Sequence, residues 1–289
     1  MGKEFTMEIL VFVIALLLIA LVALATWRWL DLRAEARLKR QLLATQPVSP
    51  KKFSPEMVAD LPDPARRFFE FAIRPGTLLT NVAEIDMSGE FSLGTKETPN
   101  YMAMQARQLL AGLEGFLWRV RVGSGLMRFA GSDAAGPERS WSRFWLLGLV
   151  PVARAGGNDD HARSAFGRYV AEAVFWTPAA LLPRDGIRWE AVDESMARVR
   201  VVHGGRSQSV DVTIGDEGQP TKIVFPRWSD ANADKVFRFQ PFGGYMSEFR
   251  DFEGFRLPTR IEAGNLFGTP DYFPFFLATV QSIRFPARG

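Results

Sequence analysis

Short segments in which apolar and polar side chains alternate recur along most of this chain. Residues 82–93 show the pattern best, with Ile85, Met87 and Phe91 on one side and charged or hydroxyl side chains between them. Period-two alternation predicts a β-strand with one buried and one solvated face, which is typical of antiparallel sheets. About eleven such segments, separated by turn signals, occupy much of residues 82–285. The sequence therefore predicts one large antiparallel sheet.

One stretch, residues 140–183, interrupts the pattern. It begins with an aromatic-rich run, passes a polar break at 156–160, continues in helical period from Ala162 to Trp176 and closes at Pro178. Helical segments inside a strand-rich chain are expected to cover one face of the sheet. We therefore predict an α+β fold, a large curved antiparallel sheet or half-barrel, with a helical insert over 140–183 packed on one face.

The amino-terminal part of the chain carries a long apolar run. Ile9 to Ala25 contains no charged residue, and Thr26 and Trp27 extend the run. A helix of about 20 apolar residues crosses a bilayer, so the run predicts a transmembrane helix. A cleaved secretory signal is the alternative, because residues 23–25 form a small-x-small site. The length of the run and the acidic residues before it favour an anchor.

These features divide the chain into four parts. We expect a tail over residues 1–8, a transmembrane helix over 9–30, a solvated juxtamembrane helix with a proline-rich linker over 31–53, and a β-rich domain over 54–289. Five basic residues between positions 28 and 40 follow the span, whereas Lys3 alone precedes it. The positive-inside rule therefore places the domain in the cytoplasm.

Composition excludes several classes of function. The chain has no cysteine, which excludes disulfides and thiolate catalysis, and two histidines far apart make a weak metal site. The net charge of +3 comes without a basic patch interleaved with aromatic residues, so nucleic-acid binding is not expected. No cofactor or metal is predicted.

Catalytic candidates are few. His161 could pair with Asp159 or Asp160, although acidic residues before a helix first suggest capping. His203 is interpreted as a strand end, and Gly243-Gly244 as a tight turn. We expect no catalytic residue among them.

Glu172 is the more informative residue, because it lies in an otherwise apolar helix with Arg168 one turn away. A buried carboxylate must be paired, or it serves a ligand. The aromatic residues nearby could be simple core, or they could line an apolar cavity between helices and sheet. The candidate ligand contacts are Trp145, Phe166, Tyr169, Glu172 and Trp176.

Three segments carry a family resemblance: Gly167 to Pro183, Pro241 to Tyr245, and Gly254 to Glu262. With these segments the chain resembles a bacterial family of unknown function whose members have one amino-terminal span and a β-rich domain. The hairpin at 216–220 and the turn at 254–258 are similar to those of lipoprotein-carrier (Lol-type) proteins. That second resemblance implies a lipid-holding sheet covered by helices, and a periplasmic location.

Together these observations predict a single-pass protein of the bacterial inner membrane. Its domain is expected to bind a lipid or a lipidated peptide without catalysis. A scaffold that docks a membrane protein partner is the alternative, and a hydrolase of unknown substrate is the third. The basic residues that follow the span favour a cytoplasmic domain, whereas the resemblance to lipoprotein-carrier proteins favours a periplasmic one.

Overall fold

The computed structural model describes the backbone of residues 2–288 and the side chains of residues 5–288. Within this described backbone, thirteen strands form one antiparallel sheet, and three α-helices accompany it. The helices are α1 (Gly2–Leu43), α2 (Asp63–Ala72) and α3 (Asp159–Trp176). The strands are β1 (Val82–Ser92), β2 (Tyr101–Ala111), β3 (Phe116–Val122), β4 (Phe129–Ala135), β5 (Ser140–Leu146), β6 (Val150–Gly156), β7 (Ile187–Ala191), β8 (Met196–His203), β9 (Arg206–Ile214), β10 (Pro220–Ser229), β11 (Arg238–Phe252), β12 (Phe255–Asn265) and β13 (Phe273–Arg284).

The order of strands in the sheet follows the chain from the centre to one edge, and then from the other edge back to the centre. Strands β1 to β6 follow one another to one edge of the sheet, and β7 to β13 run inward from the other edge until β13 pairs with β1. Helix α3 connects the two edge strands, and it crosses one face of the sheet, where it contacts β9 and β10 most. We call this the inner face. The predicted α+β fold with a large antiparallel sheet is confirmed.

The main hydrophobic core lies between the inner face and the helices α2 and α3. The alternation of apolar and polar residues along the strands places apolar side chains in this core. Ile85 and Met87 of β1, for example, are buried in it. Helix α2 contributes Phe68 and Phe69, which pack against Trp189 of β7. Asn158 caps α3, since its side chain accepts a hydrogen bond from the backbone N–H of His161 at 2.9 Å.

The opposite, outer face of the sheet carries the second half of α1. Asp31, Glu35, Leu38 and Leu42 are buried there, at a spacing that puts them on one side of a helix. Leu38 and Leu42 form a second core with outward-facing residues of β1 to β5, such as Leu109. The expectation of a solvated juxtamembrane helix is therefore wrong.

The first part of α1 makes no such contact. Within the described chain, one helix, Phe5–Leu43, is long and apolar enough to cross a membrane. Its most apolar window of 18 residues has a mean hydropathy of 3.2, and no part of that window is buried. Residues 2–8, expected as a tail, already belong to α1. Met1 and Gly289, at the ends of the first and last expected segments, lie outside the described residues.

Two local expectations are corrected. The segment 140–183 is not entirely helical, because 140–146 and 150–156 are the strands β5 and β6.

Gly243-Gly244 is not a turn but lies inside β11. A Cβ at Gly244 would stand 2.0 Å from the carbonyl oxygen of Glu262. The glycine therefore allows two strands to approach closely and does not reverse the chain.

Candidate functional site

A cavity of about 280 Å³ lies between α3 and the inner face of the sheet. Helix α3 contributes Arg168, Ala171, Glu172, Phe175 and Trp176, which share one helical face. Eight of the other 17 lining residues are aromatic, and these eight come from six strands. These aromatic residues are Phe91, Trp118, Phe144, Phe225, Phe242, Tyr245, Phe275 and Phe276. The small side chain of Ala171 leaves open space that a larger residue would fill.

One side of the cavity wall is charged, and its centre is Arg168. Arg168 donates from Nε to Glu172 Oε1 at 2.7 Å and from Nη1 to Asp133 Oδ2 at 2.5 Å. Gln108 donates to the other oxygen of Glu172 at 2.5 Å. Burial opposes the charged guanidinium, but the two carboxylates outweigh burial and raise the pKa of Arg168. Glu172 is thus held by Arg168, in agreement with the pairing considered from the sequence.

Arg227 of β10 stands in the same wall, and its side chain is less completely paired. Its guanidinium lies over the ring of Phe242, at 4.8 Å from the ring centroid. Its Nε is shielded from solvent, and no acceptor atom among residues 5–288 bonds to it. Burial and the nearby Arg168 lower the pKa of Arg227 to about 10, so Arg227 is charged at neutral pH. Arg227 therefore places an incompletely paired cation in the wall of a largely apolar space.

His161 lies next to this wall in a small polar network. Ser142 donates to Asp133 at 2.7 Å, so its oxygen is free to accept from His161 Nε2 at 3.1 Å. The other ring nitrogen, Nδ1, then accepts from the hydroxyl of Ser140 at 2.9 Å. In a nucleophilic triad the carboxylate would orient the histidine, whereas here it binds the serine. This geometry does not support a hydrolase at His161.

The proposed pairing of His161 with Asp159 or Asp160 is wrong. Asp159 pairs with Arg206 at 2.6 Å, and Asp160 accepts from the indole N–H of Trp228 at 2.7 Å. His203 ends β8, as expected, and lies 3.3 Å from Glu114. Among the described residues, no three His, Asp or Glu side chains are grouped so that they could hold a metal ion.

The structure brings together two of the five ligand contacts predicted from the sequence. Glu172 and Trp176 line the cavity. Phe166 and Tyr169 do not, because they pack against each other at 5.3 Å between ring centroids, and burial raises the pKa of Tyr169. Trp145 lies on the outer face, where its indole N–H donates to Asp31 at 3.1 Å.

Sequence reasoning missed Phe144 and Arg227. Phe144 replaces Trp145 at the cavity because neighbouring residues of a strand point to opposite faces. Arg227 could have been found, since it follows Ile223 and Phe225 in steps of two along β10 and therefore shares their face.

Comparison with known proteins identifies the family. The model of a family of unknown function, DUF6544, matches residues 51–277, and the chain belongs to this family. No curated protein sequence is significantly similar to the chain.

Solved structures with a similar fold include proteins of three bacteria. A LolA superfamily protein from Nitrosomonas europaea has a TM-score of 0.41 and 12% identity, over 78% of this chain and 92% of that one. A putative outer membrane lipoprotein-sorting protein domain from Vibrio parahaemolyticus has a TM-score of 0.40 and 9% identity, over 80% and 91%. A DUF1329 family protein from Desulfovibrio piger has a TM-score of 0.34 and 10% identity, over 77% and 90%. Similarity at this level transfers no function.

Proposed function

We propose that this member of the DUF6544 family binds one apolar molecule, a lipid or the lipid chain of a lipidated peptide, in the cavity under α3. One observation carries the proposal: a cavity of about 280 Å³ that is rich in aromatic side chains has the charged guanidinium of Arg227 in its wall. Ligand sites combine apolar walls with a few polar groups in the same way. No catalytic step is proposed.

The size of the cavity limits the ligand. Ligand pockets commonly measure about 300–1,000 Å³, and this cavity, at about 280 Å³, is slightly smaller than that range. It therefore accepts one apolar chain, and the rest of a larger molecule would extend past the exposed Tyr245 at the cavity wall. Each buried methylene contributes about 0.8 kcal/mol, so affinity should rise with chain length until the cavity is full.

Arg227 would hold the polar end of the ligand. A carbonyl, carboxylate or phosphate oxygen in the cavity would accept a charge-assisted hydrogen bond from the guanidinium, and bonds of this kind are strong. Arg168 is unsuited to this role because Glu172 and Asp133 already bind it. The two arginines thus have different tasks: Arg168 stabilises the wall and Arg227 contacts the ligand.

We also propose that the apolar part of α1 anchors the domain in the inner membrane. The excess of basic residues after the span favours a cytoplasmic domain. Protease treatment of sealed inverted and right-side-out vesicles tests the side, and digestion of the domain in right-side-out vesicles would contradict a cytoplasmic location.

Ligand binding is tested with full-length protein in mild detergent. Native mass spectrometry should detect a co-purifying lipid. A fluorescent fatty acid should bind the delipidated protein, and the co-purifying lipid should displace this probe. Ala171→Trp fills the cavity and should abolish both signals. Ala103→Trp is the matched control, because Ala103 is exposed on β2. Wild-type protein that is always empty and does not bind the probe, or an Ala171→Trp protein that binds like wild type, would refute the proposal.

A further inference from the structure

Three loops lie side by side at one end of the sheet. Strands β1 to β6 are consecutive antiparallel neighbours, and pairing brings together Ser92 with Tyr101, Val122 with Phe129, and Leu146 with Val150. The loops that join these pairs therefore share an end, which we call the loop end. It is formed by residues 93–100, 123–128 and 147–149.

Helix α1 leaves the sheet at the loop end. The ring of Trp27 lies 5.9 Å from that of Trp145, next to the 147–149 loop, and Arg28 lies 5.5 Å from the same ring. Farther along the chain, the side chain of Gln46 accepts from the backbone N–H of Val82, at the opposite end of β1. The helix thus runs along the sheet from the loop end, and its apolar residues before Trp27 project beyond that end.

Two of the loops expose large apolar side chains. Leu126 and Met127 are 80% and 60% exposed in one loop, and Leu149 and Val150 are 58% and 50% exposed at the other. No acidic residue occurs in 122–129 or 146–152, and Arg128 adds a positive charge. Soluble proteins rarely leave adjoining apolar side chains of this size in water, and such patches mark contact surfaces.

We infer that the loops 123–128 and 147–149 insert into the surface of the membrane that α1 crosses. The inference rests on the proposal that α1 is a transmembrane helix. Residues 9–26 are 18 uncharged positions and form about 27 Å of helix at 1.5 Å per residue. The hydrocarbon core is about 30 Å thick, so the core ends close to Trp27. Because Trp27 packs on Trp145 beside the 147–149 loop, the exposed leucines stand at the depth where aromatic belts occur.

The packing of α1 on the outer face fixes the position of the loop end relative to the membrane. Asp31 of α1 binds Arg143 and Arg154 of β5 and β6, and Glu35 binds Arg119 of β3. The domain therefore does not swing on a linker after the span. A lipid surface fits the loop end better than a protein partner, because α1 brings the bilayer to that end without any further component.

The natural absence of cysteine allows a direct test. Single variants Leu126→Cys and Leu149→Cys of the full-length protein, each carrying a bimane label, are reconstituted in vesicles with anionic lipids. Lipids with a quencher in the upper acyl chain should quench both labels strongly, and aqueous iodide should quench them weakly. Leu78→Cys is the matched control, since Leu78 is 50% exposed near the opposite end of the sheet and should respond to iodide alone.

A label at Leu17→Cys, near the middle of the apolar run, separates the possible failures when lipids carrying the quencher near the end of the acyl chain are used for it. If lipid quenches the label at 17 but not those at 126 and 149, α1 spans the membrane and the loop contact is wrong. Protection of 126 and 149 from both quenchers would show that a protein covers them, which also refutes the inference. Lack of lipid quenching at 17 would refute the transmembrane role of α1, and the loop contact with it. Ligand binding in the cavity is measured separately and is unaffected by these outcomes.

Discussion

Arg154, on an edge strand of the sheet, donates two hydrogen bonds to Asp31 of α1, at 2.8 and 2.9 Å. Arg143 and the indole of Trp145 donate to the same carboxylate, whose side chain is only 4% exposed. Paired geometry of this kind fixes direction as well as distance. The apolar helix and the sheet are therefore joined by a specific buried contact.

Asp31→Ala should loosen α1 from the sheet. Removing the carboxylate leaves two arginines without their partner, and breaking a buried pair costs about 3–5 kcal/mol. Native-state hydrogen exchange in detergent measures the free energy of local opening at residues 31–43. We expect this free energy to fall by about the same amount. Asp159→Ala, which breaks an exposed pair with Arg206, should change stability by about 0–1 kcal/mol. Unchanged exchange in Asp31→Ala would show that the apolar contacts of Leu38 and Leu42 suffice.

Much of the inner face could be predicted from the sequence, because alternation indicates directly which side chains are buried. Ile85 and Met87 point to the core as expected, α3 ends at Trp176 as its period suggests, and the hairpin at 215–218 joins β9 to β10. These features depend on local pattern and turn chemistry, which short sequence windows contain.

The outer face could not be predicted, because its contacts join distant parts of the chain. Asp31 and Glu35 look like solvated helix charges, yet their arginine partners lie 84 to 123 residues away. Pro151 also makes β6 hard to predict as a strand, although an edge strand tolerates a proline. Without β5 and β6, the choice between Phe144 and Trp145 as the cavity residue had no basis, since a shift of one position exchanges the faces of a strand.

Arg168→Met should destabilise the domain strongly. Asp133 and Glu172 would remain largely buried without their cation, which costs about 3–5 kcal/mol for a pair of this kind. Urea unfolding in detergent measures the loss. Arg66→Met removes an arginine whose partners Asp63 and Glu70 are exposed on α2, and should have little effect. Equal losses in the two variants would contradict a structural role for the buried pair.

His161 should make stability fall as the pH is lowered. Burial lowers the pKa of His161, and Arg227 lowers it further, although Asp133 opposes them. The unfolded chain takes up a proton near pH 6.5, the ordinary value for histidine, whereas folded His161 resists protonation until a lower pH. The contribution of His161 is therefore complete above about pH 6.5 and declines below it.

His161→Gln should remove part of this acid dependence. Unfolding free energies of wild type and variant are compared between about pH 7.5 and 5, and the difference between the two proteins should narrow as the pH falls. A difference that stays constant over this range would show that His161 titrates alike in the folded and unfolded chain.

Gln46 offers a test of how the far end of α1 is fixed. Its buried amide accepts from the backbone N–H groups of Asn81 and Val82 at 2.8 and 3.0 Å and donates to the carbonyl of Pro286 at 2.9 Å. Gln46→Leu leaves these groups unsatisfied and should lower the free energy of unfolding by about 1–3 kcal/mol, whereas Gln105→Leu on the exposed side of β2 should not.

Gln46→Glu separates the loss of hydrogen bonds from the loss of packing. The introduced side chain keeps the shape of Gln46 and can still accept from Asn81 and Val82, but its ionised form meets the carbonyl of Pro286 without a proton to donate. The protonated acid can donate, so the folded state holds this proton more firmly than the unfolded chain does. The deficit of Gln46→Glu relative to wild type, measured by urea unfolding, should therefore shrink as the pH falls. A deficit independent of pH would mean that the side chain moves to water and that the amide does not hold α1 to β1.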